Sequence, residues 1–355
     1  MKKTAFLAKE DIDYANLNLK RSNPEIWEDG MRTDGGKGNF EWWYFDAHLH
    51  DGSKVVIIFY TKPMTDINKP IQAYATFNVD YEDGSKLERY LPSSKFEASK
   101  QQCDVTIGEC TFKGDLSVYK IYMKGYNNFE CNLEFTATAE SWRPETGHIN
   151  FGNNGKHFGW VVAVPKGDVK IEYTIDDKTI KTEGTCYHDH NWGNISLHKV
   201  INHWYWSRSE FGPYTIISSQ IIPEKEYGSN AINLIYIVKD GIKIADNAEY
   251  FEVFKNHREI QEVGKKPMSN ELIYSYKDEN IKFNLHLIKE KNIIATYLIQ
   301  QEFKRKLAKF LTGFNGAYYR ITGDGILTIS ENNEPSATYK NNSTIWELMY
   351  FGKPL

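Results

Sequence analysis

The sequence predicts an all-β protein, on three observations. Short runs rich in Val, Ile, Tyr, Phe and Trp recur along the chain with turn residues between them. Aromatic residues make up 14% of the 355 positions, with 23 Tyr, 19 Phe and 9 Trp, and such residues favour strands. A helical period is nearly absent: only residues 304–311 have amphipathic helical spacing, over a short run.

Residues 1–38 are polar and are expected to wrap the surface. Strands begin at Phe40. Residues 41–50 and 54–61 flank His50-Asp51-Gly52-Ser53, and residues 74–81 and 87–90 flank Glu82-Asp83-Gly84-Ser85. Asp-Gly between apolar runs marks a hairpin. Residues 116–124, 129–139, 160–165 and 169–174 continue the pattern. Residues 179–182 follow a turn and lead into a polar block, residues 184–193. Residues 203–209, 214–222, 231–238, 242–245 and 249–255 come next, with Lys239-Asp240-Gly241 as another turn. Residues 272–276, 281–289, 294–303, 317–323, 325–330 and 343–351 complete the series. This spacing implies sandwiches or barrels, and the length suits two stacked β-domains better than one barrel. The boundary is placed near residue 200, giving domains 1–200 and 201–355. No short repeat period argues for a propeller.

The formal net charge is −4, with no Lys/Arg block longer than two. Nucleic acid and anionic membrane are therefore not expected partners. Cys103, Cys110, Cys131 and Cys186 form no CxxC, so free thiols are expected rather than metal or redox pairs. The N-terminus begins like a signal peptide, but its apolar stretch stops at Ala8. No segment approaches 18 apolar residues, so no membrane insertion is expected, and the reading is cytoplasmic. P-loop, GxGxxG, GxSxG and HExxH motifs are missing, which argues against nucleotide cofactors and serine hydrolysis.

The block Tyr187-His188-Asp189-His190-Asn191-Trp192 is the most informative stretch. Burying so many polar groups is costly unless each has a partner, and a fold needing only stability would use Val or Ile. As a strand, it places Tyr187, Asp189 and Asn191 on one face and His188, His190 and Trp192 on the other. Gly184 and Gly193 bracket it, as expected where backbone packs closely. Asp189 is the better candidate for proton chemistry, with Tyr187 beside it. His188 and His190 two apart resemble metal ligands, but zinc needs a third, and His198, His203 or Glu210 prove nothing by spacing. The plainer reading has the imidazoles orienting an acid or pinning structure, with no metal and no cofactor.

Two aromatic runs accompany it. Residues 40–47, as a strand, put Glu41, Trp43 and Phe45 on one face and Trp42, Tyr44 and Asp46 on the other. A carboxyl beside indoles is pushed towards its neutral form, which makes Glu41 a second acid candidate; the plainer reading is a core strand. In residues 203–208, Trp204, Trp206 and Arg208 alternate with His203, Tyr205 and Ser207, ahead of Gly212-Pro213-Tyr214. Indole faces can hold a polyene or a developing carbocation; the plainer reading is again core. Ala317-Tyr318-Tyr319-Arg320 with Trp346-Glu347-Leu348-Met349-Tyr350 is a weaker feature that would close a pocket from the second domain; the plainer reading is core.

Together, the Glu41–Ala47 run with Asp51-Gly52, the Tyr187–Gly193 block, Trp204-Tyr205-Trp206 and the C-terminal Ile345-Trp346-Glu347-Leu348-Met349-Tyr350 resemble the hydroxyneurosporene synthase (carotenoid 1,2-hydratase) and AttH-like family. That family includes kievitone hydratase and the fungal decalin-forming Diels–Alderases. The resemblance spans residues 40–351. It implies an N-terminal β-sandwich, a C-terminal lipocalin-like β-barrel, a hydrophobic pocket at their junction, and no metal or organic cofactor. Hydratase-like members tend to carry an Asp on the strand after Trp-Tyr-Trp, but here that strand offers Ser218, Ser219 and Gln220. Gln cannot donate a proton as an acid does.

The expectation is a cofactor-independent cyclase or hydratase acting on a polyene, terpenoid or polyketide-derived molecule; the alternative is a non-catalytic carrier. Catalytic candidates are Glu41, Asp189, His188, His190 and Tyr187. Substrate-binding candidates are Trp42, Trp43, Tyr44, Asn191, Trp192, Trp204, Trp206, Tyr214, Gln220 and Arg320. The partner is a hydrophobic small molecule; the oligomeric state and the choice between hydration and cyclisation are left open.

Overall fold

The computed structural model describes residues 3–63, 67–312, 314–332 and 334–355. Contacts divide the chain into two units, one of Leu7–Ser196 and one of Leu197–Leu355 with Met1–Phe6. The fold is all-β, as expected from the strand spacing.

In the Leu7–Ser196 unit, four strands run outward from the centre as a meander: Phe40–Leu49, Lys54–Tyr60, Tyr74–Asp80 and Lys86–Pro92. The chain then restarts at the other edge with Phe96–Ala98 and meanders back through Cys103–Ile107, Cys110–Gly114, Val118–Lys124, Glu130–Ala137 and His157–Ile175. The last strand, Lys178–Gly193, pairs with the first. Two motifs nearly 150 residues apart in sequence thereby become antiparallel neighbours, with His190 opposite Trp43 and Asp189 opposite Tyr44. The sheet closes over itself: Phe59 meets Phe112 and Phe77 meets Phe129, joining its two halves around one apolar core.

The second unit repeats this plan. Ile201–Phe211, Tyr214–Pro223, Ile232–Lys239 and Ile242–Ala245 meander to one edge. Phe251–Ile260, Pro267–Lys277, Ile281–Tyr297, Ala317–Glu331 and Ala337–Tyr350 return from the other, and the last again pairs with the first. Its core gathers Tyr205, Phe283, Leu327 and Trp346 among others.

Three expectations are corrected. Residues 160–165 and 169–174 belong to one 19-residue strand, His157–Ile175, with two register shifts between Val161 and Gly167 that kink its ladder without ending it. A short helix, α1, Asp11–Leu17, starts with a reciprocal cap between Glu10 and Asp13 and ends at Asn18 in the left-handed region. It was not foreseen, since seven residues show too little period. The N-terminal segment also does not merely wrap the surface: Glu28 and Asp29, in the 3₁₀ turn Ile26–Asp29, are buried, and Glu28 pairs with buried Arg143 at 3.3 Å. The spacing at residues 304–311 does form a helix, α2, Glu302–Thr312. All four cysteines are free and buried.

Candidate functional site

The polar block sits on the Lys178–Gly193 strand in the middle of the first unit's sheet, so its side chains alternate between the core and the opposite face. Gly184 is required there because a Cβ would lie 2.0 Å from His48 O. The alternation splits the catalytic candidates. His188, His190 and Glu41 lie on the core side, whereas Asp189 and Tyr187 lie on the other.

On the core side, Asp29 organises a fully buried network. His188 bridges the Tyr44 carbonyl at 2.8 Å, through Nδ1, and Asp29 Oδ2 at 3.1 Å, through Nε2. The Tyr119 hydroxyl donates to the same Asp29 oxygen at 2.6 Å. His190 stacks on Trp43 at 4.5 Å, its Nε2 is 2.8 Å from Glu41 Oε1 and its Nδ1 is 3.6 Å from Asp29 Oδ1. Burial alone would neutralise Asp29, but the His188 and His190 imidazoles and the Tyr119 hydroxyl outweigh it and hold the carboxyl below its ordinary value. Burial likewise opposes a charged His188, and Asp29 overrides it and raises the imidazole. Glu41 is wholly buried and accepts from the Arg32 and Thr33 amides, from the Thr33 hydroxyl at 2.7 Å and from His190. These four donors leave no lone pair aimed at a reactant. Asp29 also lies with Cys103 and His188 in a cluster whose donor atoms are all within 4.8 Å of one another. Within it, Asp29 and His188 are a hydrogen-bonded buried pair.

On the opposite face, Asp189 has a different setting. Tyr187 Oη donates to its Oδ2 at 2.7 Å, Trp160 Nε1 to the same oxygen at 2.8 Å, and Asn191 Nδ2 to Oδ1 at 2.9 Å. Burial dominates and raises its pKa to about 7, while the Tyr187 and Trp160 donors hold back part of that rise. Asp189 is buried, with 7% of the residue exposed. Oδ2 already accepts two donors, which directs an added proton to Oδ1.

Beside this carboxyl runs a strip of rings across four neighbouring strands. Tyr44 meets Tyr187 edge-on at 6.2 Å, Trp42 lies 6.4 Å from Tyr60, Tyr60 stacks on Tyr74 at 4.6 Å, and Tyr74 meets Tyr90 at 5.0 Å. Trp42, Tyr44, Tyr60 and Tyr74 are half-buried and Tyr90 is exposed, so this is a half-exposed aromatic surface rather than core. Trp42 and Tyr44 were candidates from sequence; Trp160, Tyr60, Tyr74 and Asp29 were not. The alternation in residues 74–81 was legible, but only pairing shows which neighbours it meets. Asp29 lay in a segment without periodicity.

The remaining binding candidates separate as well. Trp43 and Trp192 are on the core side, where Trp192 meets His190 at 5.1 Å. In the second unit, Trp204, Trp206 and Arg320 share one face; Arg320 is buried 3.8 Å from Glu347. Tyr214 and Gln220 are on the other face: Tyr214 donates to Glu331, and Gln220 Nε2 donates to Asn233 at 3.0 Å. A depression of about 860 Å³ on the first unit shares the Asp189 face of its strand but lies at that strand's other end. Ion pairs such as Lys120–Glu134 and Lys181–Glu172 rim it, which does not suit an apolar ligand.

Solved structures share this architecture. CghA aligns over 99% of both chains with a TM-score of 0.63 at 11% identity. Kievitone hydratase from Nectria haematococca covers 92% of each chain at 0.57 and 13%, and a putative AttH from Nitrosomonas europaea covers 93% of this chain and 98% of its own at 0.56 and 12%. At such identities the likeness is one of fold. In sequence, hydroxyneurosporene dehydrogenase of Chlorobaculum tepidum is 27% identical over 207 residues, 48% of this chain and 54% of that protein. The quinolone epoxide rearrangement protein penF of Penicillium thymicola is 34% identical over 55 residues, 16% of this chain and 15% of its own. The chain thus spans about half the length of the first relative and far less of the second. The Diels-Alderase-like family model matches residues 35–325, and the chain belongs to that family.

Proposed function

We propose that the protein is a cofactor-independent cyclase of natural-product biosynthesis, with Asp189 as its general acid and an olefinic, largely apolar substrate laid on the Trp42–Tyr60–Tyr74 strip. The observation that carries this reading is the Asp189 carboxyl: raised to about 7 by burial, oriented by three donors, and set beside a half-exposed strip of rings. An acid titrating near the working pH transfers a proton most effectively. Asp189 gives its proton to a substrate oxygen, an epoxide or a carbonyl; a C–O bond opens or polarises, an internal alkene or nucleophile closes the ring, and the proton lost at closure returns to the carboxylate. Substrate and product are isomers, so no redox partner is needed. An oxygen lone pair accepts this proton far more readily than an isolated double bond does, which favours cyclisation or rearrangement over alkene hydration. Neighbouring π faces stabilise the positive charge as it develops. The relatives support the class, since penF is named for an epoxide rearrangement, kievitone hydratase for a hydration, and CghA has been crystallised with Sch210972.

The test compares Asp189→Asn with Glu41→Gln, each first shown to be folded, against a panel of olefinic epoxides and polyene ketones. The wild-type chain should yield an isomer of unchanged mass. Asp189→Asn should lose about 10²- to 10⁴-fold in turnover, while Glu41→Gln retains most of it. Full turnover in Asp189→Asn would leave substrate shape alone as the catalyst, and recovery of only unchanged compound from the wild type would favour a carrier.

A further inference from the structure

One element of the second unit is explained neither by its core nor by the chemistry above. α2, Glu302–Thr312, is the tip of the hairpin formed by Ile281–Tyr297 and Ala317–Glu331. The hairpin is closed beneath it by Leu298 N donating to Gly316 O at 3.0 Å. Phe303 is 78% exposed and Phe310 86%, more than any other large apolar side chain among the described residues. Seven residues apart, they fall on one face two turns from each other. Lys304, Arg305, Lys306 and Lys309 share the helix with a single acid, Glu302. From the helical rotation, Lys304 lies on one side of the Phe303–Phe310 line and Lys309 on the other, with Lys306 beside Lys309 and paired with Glu302 at 2.7 Å. Arg305 stacks over Tyr297 at 3.9 Å and tethers the helix to its strand. The turn after the Phe251–Ile260 strand reaches the helix base, where Asn315 Nδ2 donates to Gly264 O at 2.9 Å. Ile260, 64% exposed, opens that turn.

Two phenylalanines held in water on one helical face, between cations, on a chain whose net charge is −4, form a local device rather than a consequence of composition. The helix is about 16 Å long and strongly charged, so it cannot span a bilayer, but it suits the plane of the headgroups. Rings enter the acyl boundary while flanking lysines extend to anionic headgroups. A groove on another protein would match the apolar line alone; the paired cationic flanks match an anionic surface.

We propose that α2 is an interfacial docking helix that seats this unit on an anionic lipid surface through Phe303 and Phe310. This does not rest on the reaction proposed above, and it runs against the expectation from net charge, which averages over the helix.

The test is flotation of the full-length chain with vesicles of phosphatidylcholine and phosphatidylglycerol, and with vesicles of phosphatidylcholine alone, at low and high salt. The chain should float with the anionic vesicles, more weakly at high salt and weakly with the neutral ones. Phe303→Ser with Phe310→Ser should reduce its partition about ten-fold or more, and Lys304→Glu with Lys309→Glu should remove the preference for anionic lipid. Both double variants change exposed positions, and unchanged melting and unchanged turnover of a dissolved substrate would confirm an intact fold and active site. Failure of the wild-type chain to float, or equal flotation of the Phe variant, overturns the proposal. So does a lipid-free dimer that the Phe substitutions dissociate without any vesicle binding, which would assign the face to a second copy.

Discussion

Tyr187 Oη and Asp189 Oδ2 are 2.7 Å apart on one face of a central strand, and this hydrogen bond helps set the acidity of the buried carboxyl. The donor stabilises the anion, so it works against the desolvation that raises Asp189 to about 7. Tyr187→Phe removes that donor and should raise the carboxyl further. In the wild type, turnover that needs the protonated acid falls as pH rises through about 7. In Tyr187→Phe that falling limb should move to higher pH. A pH–rate profile reads it directly, and a limb that stays in place would detach the titration from Asp189.

The Asp29–His188 pair makes a separate prediction about stability. Asp29 is held below its ordinary value, so its contribution is whole above the unfolded carboxyl value, about 4, and is lost as pH falls through the folded value. His188 is held above its ordinary value, so its contribution is whole below about 6.5 and is lost as pH rises through the folded value. Together they stabilise most between about pH 4 and 6.5. Asp29→Asn leaves a buried imidazolium without its counter-ion and should cost about 3–5 kcal/mol in that window. Urea unfolding at pH 5.5 and at pH 9 checks this: the loss should be larger at the lower pH, and equal losses would mean His188 is not charged in the folded state.

The aromatic strip predicts a binding effect. Tyr60→Ala removes a ring stacked 4.6 Å from Tyr74, worth about 0.5–1.5 kcal/mol beyond its buried area. KM should rise several-fold with kcat little changed. A loss confined to kcat would place Tyr60 with the chemistry instead of the substrate platform.

The all-β class and the alternation of the two central motifs were legible in the sequence, because side chains on a strand alternate whatever the strand pairs with. That rule alone separates Tyr187, Asp189 and Asn191 from His188, His190 and Trp192, and Trp42 and Tyr44 from Glu41 and Trp43. It is silent on which strands are neighbours. Only the pairing of Phe40–Leu49 with Lys178–Gly193 put Glu41 with the histidines and left Asp189 with Tyr44 and the ring strip. The two acid candidates were thus given opposite environments, Glu41 ringed by hydrogen-bond donors and Asp189 desolvated towards its acid form. Asp29 shows the same limit, since a short turn without periodicity gives no sign that its carboxylate will be buried between two imidazoles. Periodicity is a local property of the chain, and it reads faces. Desolvation and charge pairing depend on residues brought together from far along the sequence, and tertiary structure alone decides them.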